Sequence, residues 1–402
     1  MTFPVGAGVT IAELTADPHP VLRRLRAAEP VSWLPALGGW LVTRRDLAEQ
    51  VLRDARGFTV DDPRFTTARV VGPSMLSLDG AEHRRHRDPF ARALRRADVT
   101  AGLAGFCTVA ATRLVSELAA GADGQPGRAE LRRGLAGPLA VAVMAEVLGL
   151  READPATLLS WYDAIVAGVS ALTQAGPGAP VPAPAVTAVG ELGEALEAAI
   201  RGPDATSLLA VAAGTAQAAG APGLSVAEVK SNAAVMLFGG VETTEGMIGN
   251  ALLHLLGDPG ATAAVTADRS LIGGVIDESL RLEPAAAVVD RYATARVRLG
   301  GAAVQAGDLV TVSLAGANRD PAFFPEPDRF DLRRANARQN LAFALGPHFC
   351  VGAQLAWLET EAAIAALLDG RPGLRLDPER PAAARGLVFR KPPALHVRWD
   401  AA

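Results

Sequence analysis

The strongest pattern along the chain is an apolar periodicity of helical spacing that starts after Ser225 and continues to about Leu256, where Gly257-Asp258-Pro259 ends it. Ser225 followed by Glu228 forms a capping box, which fixes the start of that helix. Its middle breaks the pattern. Gly239 and Gly240 each cost roughly 1 kcal/mol in a helix interior, and Glu242, Thr243 and Thr244 interrupt an apolar run. Polar groups in such a place need partners or a purpose. Helical spacing also marks Ala353 to Leu368, Pro155 to Thr173 with Trp161 and Tyr162, the Ala/Leu-rich stretch Ala101 to Leu150, and a strongly basic helical start at Asp79-Gly-Ala-Glu-His-Arg-Arg-His-Arg-Asp-Pro-Phe. Gln174 to Pro184 is too rich in Pro and Gly for helix and reads as a loop. Alternation predicts short strands in Val31 to Thr43 around Gly38-Gly39, hairpin strands in Arg296 to Leu314, and a last hairpin in Leu387 to Trp399. Asp61 to Leu78 is irregular. The sum is mainly α with minor β; length alone would suggest two or three domains, but no linker divides the chain.

Composition narrows the class. The chain has 402 residues, 50% hydrophobic and 20% charged, as a globular enzyme does. A net charge of −4 without a long basic tract argues against nucleic acid as a partner. Two cysteines, Cys107 and Cys350, offer no disulfide framework, and the start Met-Thr-Phe-Pro-Val-Gly lacks the basic and apolar regions of a signal peptide. The longest apolar run, Gly134 to Ala145, stops at Glu146 and is too short to span a bilayer. These features predict a cytoplasmic protein without a membrane anchor.

The candidate chemistry centres on Phe343 to Gly352, Phe-Ala-Leu-Gly-Pro-His-Phe-Cys-Val-Gly, directly ahead of the Ala353 to Leu368 helix. Gly346 and Gly352 can take backbone angles closed to other residues, so the loop can bend tightly under a flat cofactor. The free N–H groups and positive dipole end of the helix favour an ionised sulfur at Cys350. A lone buried cysteine in an intracellular protein is by default packing, and Cys107, with no motif around it, is read that way.

This stretch resembles the haem-binding loop of the cytochrome P450 family, F-x-x-G-x-H-x-C-x-G, at Phe343, Gly346, His348, Cys350 and Gly352; Ala344 departs, standing where many members carry glycine. The resemblance implies that Cys350 is the metal ligand of one haem b. Other motifs follow in family order. His83 and Arg87, four apart on one helix face, match H-x-x-x-R, implying a propionate grip that Arg291 and His348 would share. Gly239-Gly-Val-Glu-Thr-Thr resembles the oxygen-binding notch (A/G)-G-x-(D/E)-T-T, with Gly239 and Gly240 making room and Glu242 and Thr243 relaying protons. Glu278 and Arg281 form E-x-x-R and, with Arg329, resemble the structural charge triad. Asn318 to Asp331 resembles the meander that leads into the cysteine loop.

Further implications are one mainly helical domain over residues 1–402, a mobile lid at 174–184 and pocket walls at Phe65, Val70, Val71, Met75, Leu76, Ala233, Leu237, Val241, Ala285 to Val289 (with Val288 and Val289) and Leu387 to Phe389 (with Val388). The arginines Arg84, Arg85, Arg92, Arg95 and Arg96 are either a solvated face or a docking patch for an acidic ferredoxin. The implied activity is monooxygenation of a largely hydrophobic small molecule, a secondary metabolite, using O2 and electrons from a ferredoxin-type protein and its reductase. Glu242-Thr243 weighs against a peroxide-driven peroxygenase. No attached output domain supports a haem-based sensor.

Overall fold

The strands predicted near the N-terminus form as an antiparallel pair, β1 (Val31–Leu34) and β2 (Gly39–Val42), in which Trp33 lies opposite Trp40 and their rings meet edge to face at 5.5 Å. The computed structural model describes residues 3–95, 97–118, 127–175, 178–202, 208–210, 212 and 223–400. Arg96 and the Gly176-Pro177 part of the expected loop lie outside them.

The chain divides into two units interleaved in sequence. The first comprises Met1–Thr59, Thr108–Gly137 and Thr243–Ala402. All strands among the described residues belong to it. They are β1, β2, β3 (Phe58–Thr59), β4 (Arg128–Glu130), β5 (Val288–Ala293), β6 (Val297–Leu299), β7 (Ala302–Val304), β8 (Leu309–Ser313), β9 (Arg375–Leu376) and β10 (His396–Arg398). The main sheet has the order β1-β2-β8-β5-β3, with β2 and β8 parallel and the other pairs antiparallel. Its inner face buries Val31, Trp40, Val42, Val310 and Val312 together with Leu341, just ahead of the cysteine loop. The expected hairpin of 296–314 forms as β6 and β7 followed by β8.

Three expectations change. Ala101 to Leu150 is not continuous helix: a helix ends at Glu117, β4 pairs with β10 from the far end of the chain, and a second helix covers Gly137–Val147. Residues 387–399 do not pair as a hairpin among themselves. Instead Val388 O accepts from Ala287 N at 2.8 Å, Phe389 bridges Ala286, and β10 joins β4 and β9. The irregular stretch 61–78 holds a short helix, Thr66–Val71.

Within the first unit, Glu278 and Arg281 on the helix Ile272–Leu282 have no solvent exposure. Arg281 Nε and Nη2 donate to both carboxylate oxygens of Glu278 at 2.7 and 2.8 Å. Its remaining N–H groups reach the carbonyls of Asn318, Pro327 and Arg329 at 2.7–3.1 Å. The third charge is Arg334, whose Nε donates to Glu278 Oε1 at 2.9 Å. Arg329, expected in that role, contributes only its carbonyl, and its side chain is exposed beside Glu326.

The second unit, Val60–Cys107 and Pro138–Glu242, is helical. Cys107 is fully buried in it, as packing requires. The helix Pro155–Ala175 packs closely on the helix Ala183–Arg201: a methyl at Gly168 would come 2.6 Å from Ala185 Cβ. Its Pro155–Thr173 part, rather than Gly134 to Ala145, is the stretch among the described residues that is long and apolar enough to cross a membrane, by length and composition alone, with mean hydropathy 1.2. The helix Val226–Gly257 starts on the predicted cap, with Glu228 N donating to Ser225 Oγ at 3.3 Å and Ser225 N to Glu228 Oε2 at 2.7 Å.

Removing one partner of a buried charge cluster leaves the others uncompensated, at about 3–5 kcal/mol. Glu278→Gln and Arg334→Ala should therefore lose stability on that scale in urea unfolding, and Arg329→Ala no more than about 0.5 kcal/mol. Equal losses for Arg329→Ala and Arg334→Ala would contradict the assignment.

Candidate functional site

The cysteine loop is built by short-range hydrogen bonds hung on the meander. Asn318 Oδ1 accepts from Leu341 N at 2.6 Å, Leu341 O accepts from Ala344 N at 2.8 Å, and Phe343 O accepts from Cys350 N at 2.9 Å, which closes the loop. Two residues inside it have left-handed backbone, Ala344 at φ +57° and Gly346 at φ +72°. Gly346 is required twice over, since a Cβ there would lie 2.5 Å from Leu52 O. Ala344 adopts the same hand at a steric cost of about 1–2 kcal/mol. Gly352 has ordinary angles, φ −94° and ψ 9°, so the expectation of a special backbone holds only for Gly346. A methyl at Gly352 would meet nothing within 4 Å among the described residues.

A 3-10 turn, Gly346–His348, precedes Cys350, and the helix Ala353–Gly370 follows with Gly352 as its N-cap. The thiol is exposed on the protein. In the same loop the rings of Phe343 and Phe349 meet edge to face, centroids 6.4 Å apart. Among the described residues no cluster of three or more His, Cys, Asp or Glu could cage a metal. An exposed single thiol at a helix N-terminus fits an iron whose other positions are filled by a macrocycle, so this donor set suits haem.

On β5 of the same unit, Arg291 is 6% exposed and donates from Nη1 to Asp290 O at 2.7 Å. Burial pushes the Asp290 carboxyl up, while the Thr311 hydroxyl, donating at 2.6 Å, opposes the shift. Val288, Val289 and Val388 are half-buried.

In the second unit, His83 is buried and Arg87 half-buried on the helix Gly80–Leu94. Val71 and Met75 are buried, and Leu76 is 38% exposed. The helix Val226–Gly257 shows two stripes. Ala233, Leu237 and Val241 have no exposed surface, whereas Met236, Gly239, Gly240 and the following Thr243 are half-buried. The two glycines differ. A methyl at Gly239 would meet nothing within 4 Å among the described residues, but one at Gly240 would strike Met144 Sδ at 2.5 Å, so Gly240 lets Met144 approach.

Glu242, 5% exposed, accepts a hydrogen bond from the buried hydroxyl of Tyr162. Spacing singles out Tyr162 only as an aromatic on a helix; the one sequence signal for this pairing is that a buried acid needs a donor. Arg334 and Met236 were likewise missed, because neither lies in a motif.

Of the basic cluster, Arg84, Arg92 and Arg95 are exposed. Arg85 is engaged with Glu82 and Glu228, and its guanidinium holds the Glu228 carboxyl down at about 2.

The loop geometry is checked by stability. Ala344→Gly trades left-handed strain for chain entropy and should gain about 0.5–1 kcal/mol, whereas Gly346→Ala should unfold at clearly lower denaturant. A Gly346→Ala variant as stable as the parent would contradict the loop.

Comparison with known proteins places this geometry. The Cytochrome P450 family model matches residues 197–370. The cytochrome P450 monooxygenase PikC of Streptomyces venezuelae is 36% identical over 403 residues, covering 96% of this chain and 92% of PikC. The mycinamicin IV hydroxylase/epoxidase of Micromonospora griseorubida is 32% identical, with 93% and 94% covered. Among solved structures, a cytochrome P450 from Chondromyces apiculatus superposes with TM-score 0.84 at 29% identity, covering 98% of this chain and 97% of that one. A post-tailoring hydroxylase involved in himastatin biosynthesis gives 0.81 at 29%, covering 96% and 98%. With relatives this similar over nearly their whole length, the chain belongs to the cytochrome P450 family, the haem b monooxygenases.

Proposed function

We propose that this enzyme oxidises a largely hydrophobic small molecule of secondary metabolism, with electrons from a ferredoxin-type protein, in the cytoplasm. The observation that carries the haem assignment is the exposed Cys350 thiol in its closed loop. In this reading Cys350 would ligate the iron, Phe343, Gly346 and Gly352 would shape the loop that holds the haem, and Gly239 and Gly240 would leave room for the bound ligand. His83, Arg87, Arg291 and His348 bind the propionates. When bound, the haem supplies O2 activation with two delivered electrons, favoured by the electron density of the thiolate.

The protein's own task is proton supply. Tyr162 fixes the rotamer of Glu242 by donating to Oε2, so the carboxyl is presented in one orientation. Glu242 would hold the proton and the Thr243 hydroxyl would relay it toward the bound cofactor. The Ser/Thr habit of bonding back to the preceding turn is the competing role for Thr243.

The candidate substrate walls on each unit are apolar: Val71, Met75, Leu76, Ala233, Leu237 and Val241 on the second, with Met236 added from the half-buried stripe of the long helix, and Val288, Val289 and Val388 on the first. Relatives named for PikC, mycinamicin and himastatin chemistry support a secondary metabolite as substrate. Exposed Arg84, Arg92 and Arg95 support an acidic ferredoxin.

Thr243→Ala should keep haem and substrate binding but release more peroxide per product. Glu242→Gln should slow turnover roughly 100-fold or more, Tyr162→Phe should fall between parent and Glu242→Gln, and Thr244→Ala should be milder. The checks are reductant consumed, peroxide and product, measured together. A Thr243→Ala enzyme coupled as well as the parent would remove the relay assignment; rates insensitive to salt in the same assay would remove the arginine patch, since exposed charges are screened beyond roughly 10 Å at 0.1 M.

A further inference from the structure

The loop that carries Met75 and Leu76 is tied to the second turn of the long helix by two adjacent residues. Ser231 Oγ donates to Pro73 O at 2.5 Å, and Asn232 Oδ1 accepts from Met75 N at 2.8 Å. Gly72, at φ +87°, turns the chain so that Ser231 comes close; a Cβ there would sit 3.2 Å from its Oγ. Internal bonds stiffen the loop, with Ser77 N donating to Ser74 O at 3.0 Å and Ser74 N to Ser77 Oγ at 3.1 Å.

Asn232 has no exposed surface, and two backbone groups fix how its amide points. Its oxygen must face the Met75 N–H, and its nitrogen donates to Glu228 O at 2.7 Å. The second hydrogen on that nitrogen is directed at His86 Nδ1, 2.9 Å away. His86 Nδ1 must therefore be an acceptor, which makes His86 neutral with its proton on Nε2, directed at Glu228 Oε1; the Arg85 Nη2 approach to Nε2 is then a contact and not a hydrogen bond. The charged groups around it are Arg85, with Nη2 at 3.3 Å, and Glu82 on its own helix, and Glu228, with Oε1 3.4 Å from Nε2, on the long helix. A proton on Nδ1 would set two N–H groups against each other. The amide could then regain a bond only by rotating, which takes its oxygen away from Met75.

We propose that Asn232 and His86 form a pH-sensitive clasp that holds the 72–77 loop on the long helix, and that protonating His86 releases it. Asn232 is the positioning residue; His86 is the sensor. Burial lowers the His86 pKa from its ordinary 6.5, with Arg85 acting the same way and Glu228 opposing. The sign follows: the clasp is complete above pH 6.5 and is lost as pH falls through the lowered value. Its effect on ligands rests on the proposed reading of Met75 and Leu76 as pocket walls. Closing at neutral pH would retain a bound molecule, and acid would free it.

Hydrogen exchange of the holoenzyme, read on peptides covering 72–77 and corrected for intrinsic rate, tests the clasp directly. As pH is lowered from 7 through the depressed His86 pKa, the parent should lose up to about tenfold in protection once the clasp is open, the equivalent of one buried hydrogen bond. His86→Gln offers Asn232 an acceptor that does not titrate and should be flat. Asn232→Ala should be low at both pH values. Protection in the parent that does not change with pH, or a His86→Gln profile like the parent's, overturns the proposal. The dissociation rate of 4-phenylimidazole from the holoenzyme, followed by the haem spectrum, reads the pocket separately. It should rise with acid in the parent and stay level in His86→Gln. Exchange that responds while this rate does not would keep the clasp and reject Met75 and Leu76 as walls.

Discussion

A carboxylate and a guanidinium with no exposed surface, Glu278 and Arg281, set the constraint on which the first unit depends. Buried ions are tolerated only when every donor and acceptor is matched. The chain matches these with Arg334, the Asp331 amide and the carbonyls of Asn318, Pro327 and Arg329. Satisfying one ion pair thus folds the whole 318–334 stretch onto the helix Ile272–Leu282. Asn318 then does two things at once: its carbonyl accepts from Arg281, and its side chain accepts from Leu341 N. The loop that presents Cys350 starts two residues later, so electrostatics in a dry interior fix the position of the proposed haem ligand.

The long helix solves the opposite problem, polar groups in an apolar setting. Four of its buried polar residues are each held by a different partner set. Asn232 binds the 72–77 loop, Glu242 takes a hydrogen bond from Tyr162, Glu245 is paired with Arg132 at 3.2 Å and with Lys391, and Asn250 donates to the carbonyls of Glu283 and Arg390. Glu283 is held in turn: burial alone would raise its carboxyl, but His19 and Arg390 bring it down to about 2.

Local signals were legible wherever the chemistry is local. The capping box at Ser225, the tight turn at Gly346 and the core role of Cys107 are set by neighbours in sequence, and they stand. The mainly helical class with a small sheet stands as well. What sequence could not supply are pairings between distant segments. β4 is a strand because β10 lies beside it, more than 260 residues away. Arg334 rather than Arg329 completes the buried charges because the meander turns the nearer arginine outward. Gly239 and Gly240 look equivalent in a motif, yet a methyl at Gly240 would strike the Met144 side chain, whereas one at Gly239 would meet nothing within 4 Å among the described residues. Ala344 keeps a left-handed backbone without being glycine, since the hydrogen bonds on either side leave it no other course.

The central claim is that Cys350, and no other residue, ligates the haem iron. The direct measurement is the absorption spectrum of the reduced protein under carbon monoxide. The account predicts a Soret band shifted far to the red in the parent and in Cys107→Ala, and loss of that shift in Cys350→His. A shifted band that survives in Cys350→His, or disappears in Cys107→Ala, would contradict it.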